Sequence, residues 1–315
     1  MRLAVIGAGS WGTTVAALGA RNADHVTLWA RRPALAEALN SAGENPDYVQ
    51  GLVLGPVVAT ARLDEALDGA DVVACAVPSH GFRSVLTAAA AFVPPGALLL
   101  SLAKGLEQGS LKRMTEVAAD VLPGHDDGRI GVLTGPNIAT EVAAGMPTAS
   151  VVAMGDETAA AAIQRLFMTD TFRVYTNPDV VGCEIAGVVK NVVALAAGIA
   201  QGLGVGDNAR AALITRGLAE LTRFGLALGG NPMSFLGLAG IGDIVVTCTS
   251  PRSRNRHVGE ALGRGQPLAD VLAEMTMVAE GVRSTAAVLR TPSATIVISA
   301  RTSASGRPRP SASPT

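Results

Sequence analysis

The sequence predicts an α/β fold in which a doubly wound parallel sheet is followed by an all-α domain. Through the first half, short apolar runs alternate with Ala-rich segments of helical period, whereas the second half contains long helical patterns only. Continuous apolar strands separated by helices are typical of a parallel sheet covered on both faces. Glycine accounts for 36 of the 315 residues and only 3% are aromatic, which indicates tightly packed layers of small residues with glycine-rich connections.

The apolar runs divide the first half into strands and helices. Strands are predicted at residues 3–6, 25–30, 71–77, 97–102, 130–133, 149–154 and 172–175. Helices are predicted at residues 13–21, 33–40, 82–92, 111–121 and 157–167. We assign residues 1–178 to this α/β domain.

The second half is predicted to be helical, with helices at residues 179–201 and 208–228 and a third that begins at residue 255. The Gly-Gly-Asn-Pro sequence at 229–232 ends the second helix, because glycine just past a helix and proline soon after are stop signals. We assign residues 179–289 to a helical domain. Residues 290–315 are rich in Ser, Thr, Pro and Arg and contain no acid, which predicts a disordered tail.

Composition excludes several classes of protein. A net charge of −1 argues against a nucleic-acid partner. Three widely spaced cysteines make neither a disulfide framework nor a metal site, and we expect no metal. No run approaches the ~18 uninterrupted apolar residues of a membrane span, and the N-terminal apolar run is too short for a signal peptide. We therefore expect a cytoplasmic protein.

The first βα turn carries a G-x-G-x-x-G motif made of Gly7, Gly9 and Gly12, with Ser10 and Trp11 between them. In a Rossmann-type fold the first glycine permits the tight turn and the second lets backbone approach a pyrophosphate. The third lets the helix pack close to the sheet, and the phosphates lie at the helix N-terminus. A purely structural glycine turn is the alternative.

The end of the second strand indicates which dinucleotide binds. NAD enzymes usually place an acid about 20 residues after the glycines, on the ribose 2′-hydroxyl. Here the strand ends in Ala30, and Arg31 and Arg32 follow. Guanidinium groups can pair with a 2′-phosphate, which predicts NADPH, with NAD still accepted. The alternative is that both arginines are ordinary solvated charges.

Two further strands end in loops that should reach the same edge of the sheet. Lys104 follows the strand at 97–102, and Thr-Gly-Pro-Asn at 134–137 follows the next one. Ligands bind outside the carboxyl ends of parallel strands. Lys104 could therefore neutralise a carbonyl oxygen or a phosphate there, or it could be a surface lysine in a turn.

Lys190 is the only charge between residues 185 and 200 of the first long helix. A bulky apolar stripe at helical spacing comprises Ile185, Val188, Val189, Val192, Leu195 and Ile199. The other side has only small residues around Lys190, namely Cys183, Ala186, Gly187, Ala194, Ala197 and Gly198. Small residues imply close approach of another element or of a ligand. A desolvated lysine can act as a general acid or base near neutral pH, whereas a snorkelling lysine with an exposed head is the alternative.

A glycine-rich turn at residues 237–243 delivers Asp243, and an arginine-rich segment at 249–256 precedes the next helix. Hydroxyls, guanidinium groups and free N–H groups of a helix N-terminus are typical of a phosphate site. Loop arginines without a ligand are the alternative.

Taken together, the motifs resemble those of the bacterial NAD(P)-dependent glycerol-3-phosphate dehydrogenases from the first glycine loop to about residue 283. They are GAGSWGT at 7–13, VPSH at 77–80, KGL at 104–106, GPN at 135–137, KNV at 190–192, NA at 208–209, LITRG at 213–217, GIGD at 240–243, SRNR at 253–256 and VAEG at 278–281. The resemblance implies the reversible oxidation of sn-glycerol 3-phosphate to dihydroxyacetone phosphate. In the family the reaction usually runs in the direction of reduction, which supplies the glycerol backbone of phospholipids.

The resemblance also implies roles for individual residues. Lys190 matches the family's proton donor and acceptor. Substrate contacts match Lys104, Gly135, Asn137, Lys190, Asp243, Ser253, Arg254 and Asn255. Cofactor contacts match Ser10, Trp11, Arg31, Arg32, Lys104, Ala139, Arg254, Val278 and Glu280. Asn137 stands where many members have Ser.

We therefore expect hydride transfer to the ketone carbon while Lys190 protonates the oxygen, with Lys104 stabilising the developing charge and Asp243 orienting Lys190. The C-terminus departs from the family, which leaves two alternatives: a catalytically impaired NADPH-binding protein or sensor, and a related β-hydroxyacid dehydrogenase. The apolar helical domain makes a homodimer plausible.

Overall fold

The computed structural model describes residues 1–275, 280–282 and 284–285, and it confirms the predicted fold class. Within these residues eight strands form one sheet: β1 (Arg2–Ile6), β2 (His25–Trp29), β3 (Val57–Thr60), β4 (Val72–Cys75), β5 (Leu98–Ser101), β6 (Ile130–Thr134), β7 (Thr148–Ala153) and β8 (Phe172–Asn177). The strand order is β3-β2-β1-β4-β5-β6-β7-β8. Strands β1 to β6 pair in parallel in the order of the Rossmann fold.

Helices cover both faces of the sheet: α1 (Ser10–Gly19), α2 (Pro33–Ala42), α3 (Leu63–Leu67), α4 (Ser79–Ala89), α5 (Met114–Val121), α6 (Ala139–Ala143) and α7 (Glu157–Phe167). Successive side chains of β1 alternate between two buried clusters, with Leu3 and Val5 in one and Ala4 and Ile6 in the other. Burial on both faces explains why the strands read as continuous apolar runs.

The last two strands depart from the expected parallel sheet, because β7 pairs antiparallel with β6 and β8 then runs parallel to β7. A parallel crossover needs a connection that returns to the opposite edge of the sheet, usually through a full helix. The connection at residues 135–147 contains only the five-residue helix α6 and stays at the carboxyl edge of β6. The chain therefore re-enters the sheet in the opposite direction.

Three short elements of the first half, β3, α3 and α6, escaped sequence prediction, and one helix starts later than predicted. Strand β3 has only four residues at the sheet edge, with Val58 exposed, and the short helix α3 follows it. The helix predicted from residue 111 begins at Met114 instead. Leu111 has φ +61, in the left-handed region that no regular α-helix of L-residues uses.

The helical half contains α8 (Val180–Gly202), α9 (Asp207–Ala227), α10 (Pro232–Leu236), α11 (Asp243–Thr249), α12 (Arg254–Gly263) and α13 (Leu268–Ala273), with a π-helical turn at Leu238–Gly242. The chain changes from sheet to helix between Asn177 and Val180, whereas the domain limits at residues 178 and 289 stay predictions. The tail predicted at residues 290–315 lies outside the described residues.

Helix α8 is the core of this half, and its small-residue side lies against α12. A Cβ at Gly198 would lie 2.1 Å from the carbonyl oxygen of Arg256, and one at Gly259 would lie 2.1 Å from that of Leu195. Only glycine permits this backbone approach. Val192, Leu195 and Ile199 of the predicted bulky stripe are half-buried, so the side with small residues is the more deeply buried one.

By length and composition α8 could cross a membrane, since its most apolar window has a mean hydropathy of 1.8. Within the protein, however, 72% of that window is buried. Packing in the core of the helical domain accounts for its apolar character.

Asp179 fixes the start of α8 at the junction of the two halves. Its carboxylate accepts hydrogen bonds from the backbone N–H of Gly182 at 2.8 Å, the N–H of Asn231 at 2.8 Å and the hydroxyl of Ser234 at 2.6 Å. We expect Asp179→Ala to lower the free energy of unfolding by about 1–3 kcal/mol, because a cap and two tertiary hydrogen bonds are lost. Urea denaturation measures this change. Asp207→Ala, at the exposed start of α9, is the control and should change little.

Candidate active site

The glycine loop has the geometry that a dinucleotide site requires. Gly7 has φ +113, and a Cβ there would lie 2.9 Å from the carbonyl oxygen of Ala76. A Cβ at Gly12 would lie 1.9 Å from the carbonyl oxygen of Gly7. A Cβ at Gly9, which precedes the first turn of α1, would meet no atom within 4 Å. The first and third glycines thus serve packing, and the second faces open space at the helix N-terminus, where a pyrophosphate fits.

A buried asparagine that the sequence analysis missed supports this loop. Asn45 is fully buried, and its amide donates to the carbonyl oxygen of Ala8 at 3.0 Å and to the hydroxyl of Thr13 at 2.8 Å. Its carbonyl accepts from the backbone N–H of Asp47 at 3.1 Å. Nothing in the sequence distinguishes Asn45 from a turn residue. It holds the glycine loop against the segment that follows α2.

The other predicted cofactor residues lie around the same edge. Arg31 and Arg32 are exposed after β2, and Arg32 pairs with Asp47. The indole of Trp11 is half-buried against the ring of Phe172, with centroids 6.4 Å apart. The carbonyl oxygens of Ser10 and Ala139 lie 2.8 Å and 3.5 Å from the hydroxyl of Thr14, which connects α1 to α6.

The sequence contains three lysines, and two of them meet on one buried carboxylate. Lys190 Nζ lies 2.6 Å from Asp243 Oδ1, and Lys104 Nζ lies 2.7 Å from Asp243 Oδ2. Asp243 and Lys190 are buried, and the Lys104 side chain is 19% exposed. The structure therefore favours a desolvated Lys190 over a snorkelling one, and it excludes Lys104 as a free surface lysine.

Sheet topology places this cluster beside the glycine loop. Gly7 follows β1 and Lys104 follows β5, and only β4 lies between these strands. With strands about 4.8 Å apart, the two strand ends are about 10 Å apart. The cluster and the glycine loop thus share the carboxyl edge of the sheet, where parallel α/β folds bind ligands.

Burial and neighbouring charges shift the pKa values in this cluster. Burial lowers the pKa of Lys190 to about 8, and the Lys104 ammonium adds to the shift while Asp243 opposes it. Burial alone would raise the pKa of Asp243, but the two ammonium groups outweigh burial and hold it below its ordinary value. Asp243 is therefore ionised, and Lys190 can gain or lose a proton near neutral pH.

Two further residues complete the cluster. The hydroxyl of Thr247, one turn after Asp243, accepts from Lys190 Nζ at 2.9 Å and donates to the carbonyl oxygen of Asp243 at 2.6 Å. The amide of Asn191 donates to the carbonyl oxygen of Lys104 at 3.2 Å. The spacing of Asp243 and Thr247, four residues apart on one helix, could have indicated Thr247.

The loop after β6 forms one wall of the cluster. The carbonyl oxygen of Gly135 accepts from Lys104 Nζ at 2.9 Å, and the amide of Asn137 donates to the hydroxyl of Ser150 at 3.0 Å. Two buried oxygens here, Thr134 Oγ1 and Asn137 Oδ1, have no hydrogen-bond partner among the described residues. Unpaired buried acceptors are costly and often mark a functional site.

The arginine-rich segment divides between the site and the scaffold. Ser253 caps α12, and Arg254 lies in its first turn. Asn255 is buried, and its side-chain amide donates to Asn191 Oδ1 at 2.9 Å. Arg256 instead binds the carbonyl oxygen of Ser250 at 3.0 Å and serves the scaffold.

Residues 280–282 cross from the helical half toward the sheet. The backbone N–H of Gly281 donates to Asn255 Oδ1 at 2.9 Å, and the Glu280 carboxylate accepts from the backbone N–H of Ser79 at 3.1 Å. Glu280 thus lies at the N-terminus of α4, at the ligand-binding edge. Val278 lies outside the described residues. No group of three metal-ligating side chains occurs within the described ranges.

Comparison with known proteins gives one consistent result. Residues 2–160 match the model of the N-terminal part of NAD-dependent glycerol-3-phosphate dehydrogenase, and residues 179–298 match that of its C-terminal part. The chain is 53% identical over 290 residues to glycerol-3-phosphate dehydrogenase (NAD(P)+) 2 of Sphingopyxis alaskensis, covering 92% of this chain and 86% of that one. It is 52% identical over 286 residues to the Moorella thermoacetica enzyme, covering 90% and 84%.

A solved structure agrees with these relatives. Glycerol-3-phosphate dehydrogenase from Coxiella burnetii superposes with a TM-score of 0.85 at 35% identity. The match covers 96% of this chain and 90% of that one. The similarity extends over the sheet and the helical half alike.

Proposed function

The chain belongs to the NAD-dependent glycerol-3-phosphate dehydrogenase family, and from this premise we propose how its residues carry out the reaction. It is an NAD(P)-dependent oxidoreductase whose substrate is a small phosphorylated molecule. We infer that Lys190 is the general acid when dihydroxyacetone phosphate is reduced to sn-glycerol 3-phosphate. The observation that carries this proposal is the meeting of two lysines on the buried carboxylate of Asp243.

When bound, NADPH supplies a hydride to the carbonyl carbon of the substrate. Lys190 donates a proton from Nζ to the carbonyl oxygen, and in the reverse direction its neutral amine accepts that proton. The Lys104 ammonium stabilises negative charge on the same oxygen. Asp243 orients both amines, and the Thr247 hydroxyl fixes the rotamer of Lys190.

We propose that the substrate phosphate binds at the first turn of α12. Ser253, Arg254 and Asn255 lie there, and a helix N-terminus with a guanidinium favours a dianion. Gly135 and Asn137 then line the remaining wall of the pocket. This assignment favours a phosphorylated substrate over the carboxylate substrates of a β-hydroxyacid dehydrogenase.

The proposed reaction has a direct test. The purified chain should oxidise NADPH when dihydroxyacetone phosphate is added, followed by loss of NADPH absorbance. NADPH binding, followed by cofactor fluorescence, separates this activity from the alternative of an impaired protein or sensor. Binding without oxidation would favour that alternative. We further propose a cytoplasmic homodimer that supplies the glycerol backbone of phospholipids.

Arg31 and Arg32 should determine the preference for NADPH. A hydrogen bond to a charged group contributes about 1.5–3 kcal/mol, so replacing both residues with alanine should raise the KM for NADPH at least about tenfold. The KM for NADH should change little, because NADH has no 2′-phosphate. Steady-state kinetics with both cofactors measures the difference. Arg223→Ala, at an exposed ion pair on α9, is the control.

A further inference from the structure

The segment that carries Lys104 folds back on itself before it enters α5. Leu106 and Arg113 pair in an antiparallel bridge, and the N–H of Glu107 donates to the carbonyl oxygen of Lys112 at 2.9 Å. Arg113 is thereby placed beside the start of the segment, although it is nine residues from Lys104 in the sequence. A contact that holds Arg113 consequently also holds the backbone next to Lys104.

Helix α8 contacts both ends of this segment along one face. Glu184, Gly187 and Asn191 occupy positions i, i+3 and i+7, which lie on the same side of a helix. Asn191 binds the carbonyl oxygen of Lys104, and a Cβ at Gly187 would lie 3.6 Å from Cγ of Lys104. The stem of Lys104 therefore lies along α8 at its glycine.

Glu184 holds the other end. Its carboxylate accepts from Arg113 Nη1 at 2.9 Å, from the backbone N–H of Thr115 at 3.1 Å and from the Thr115 hydroxyl. The Glu184 side chain is 5% exposed. Burial raises its pKa, while Arg113 and Thr115 act in the opposite direction.

A buried ion pair of this kind is weak evidence for a stabilising role, because apolar residues of similar volume often stabilise as well or better. What Glu184 does supply is a directional contact between α8 and the segment that bears Lys104. The same helix carries Lys190, so α8 controls the placement of both amines that meet on Asp243.

We propose that Glu184 is a positioning residue that holds the segment at residues 104–113 against α8 and so sets the position of the Lys104 ammonium relative to Lys190. This inference rests on the proposed function of the two lysines. Glu184 touches neither the cofactor loop nor Asp243 and acts through Arg113 and Thr115.

The first test is the coupling of Glu184 to Lys104. Glu184→Gln keeps the volume but loses the charge that pairs with Arg113, and kcat should fall about tenfold to a hundredfold because the ammonium is displaced. In a Lys104→Met background the same substitution should have no further effect, since residues acting through one group are not additive. Equal losses in both backgrounds would overturn the proposal.

Glu260→Gln is the matched control. Glu260 is a largely buried carboxylate on α12 that pairs with Arg256 and Arg264, and it does not contact the segment at 104–113. Its replacement should leave kcat unchanged even if it lowers the melting temperature.

Thr115→Val removes the hydroxyl that donates to Glu184. Like Glu184→Gln, it should lower kcat, but by a smaller factor. It replaces Glu184→Gln as the test variant if Glu184→Gln does not fold.

A second readout does not depend on activity. Because Lys104, Lys112 and Lys190 are the three lysines of the chain, brief treatment with acetic anhydride followed by mass spectrometry reports each amine separately. Glu184→Gln should increase acetylation of Lys104 relative to exposed Lys112, whereas Glu260→Gln should not. An unchanged ratio would overturn the positioning role. If the wild-type chain did not oxidise NADPH, the proposed function would be refuted. The ratio of Lys104 to Lys112 acetylation would still decide whether Glu184 positions Lys104.

Discussion

Lys190→Ala should lower kcat for the reduction of dihydroxyacetone phosphate by about 10²–10⁴-fold, the usual contribution of a general acid. The substitution removes the buried proton donor. It leaves Asp243 paired with Lys104 at 2.7 Å, so no buried carboxylate loses its last partner. The dissociation constant for NADPH should stay near the wild-type value, because the glycine loop lies on a separate element. Steady-state kinetics and cofactor fluorescence measure the two quantities.

Lys112→Ala is the control for this substitution. Lys112 is exposed and pairs with Asp120 on the surface, so its removal should not change kcat. Circular dichroism establishes that both variants fold. If Lys190→Ala turned over substrate at the wild-type rate, Lys190 would not be the general acid. The burial of its charge, which costs free energy, would then need another explanation.

The sequence predicted the sheet and its ligand-binding edge well, because both follow from local patterns. Apolar runs of four to seven residues identify buried parallel strands, and Gly7, Gly9 and Gly12 follow the first of them directly. The reversal at β7 could not be predicted in this way. Strand direction depends on where a connection ends in space, and the pattern of residues 149–154 is the same for either direction.

The burial of Lys190 could not be predicted from sequence either. Small residues around a lysine are compatible with a packed neighbour or with an exposed head, and sequence alone left both open. The approach of α12 at Gly198 and Gly259, together with the contact to Asp243, decides between them. Asp243 lies 53 residues from Lys190, so no local signal connects the two.

Residues that act through backbone contacts were the hardest to identify. Asn45 and Glu184 are ordinary residue types in ordinary surroundings, and each matters because of a partner more than 30 residues away. Asn191 and Thr247 are intermediate, since each is a neighbour of a predicted residue along one helix. Functional residues that follow the strands can therefore be predicted from sequence. The residues that position them cannot, because their contacts depend on tertiary packing.

The pH profile offers a further test of the lysine cluster. Lys190 is protonated below its pKa of about 8, so the reduction rate should decline as pH rises through that value. The reverse oxidation should decline as pH falls through it. Cys248 contributes no charge here, because burial raises its pKa to about 12. Among the residues that the structure describes, the charged groups that act on Lys190 are thus Asp243 and Lys104.

Lys104→Met should change both the rate and this profile. Loss of a cation that stabilises the developing oxyanion should lower kcat/KM for dihydroxyacetone phosphate by about 10²–10³-fold. Because the Lys104 ammonium lowers the pKa of Lys190, its removal should raise that pKa and move the decline in reduction rate to higher pH. Lys104→Arg retains the charge and should leave the pH of the decline near its wild-type position. A profile that did not move in Lys104→Met would show that the Lys104 ammonium does not lower the pKa of Lys190, although both amines contact Asp243.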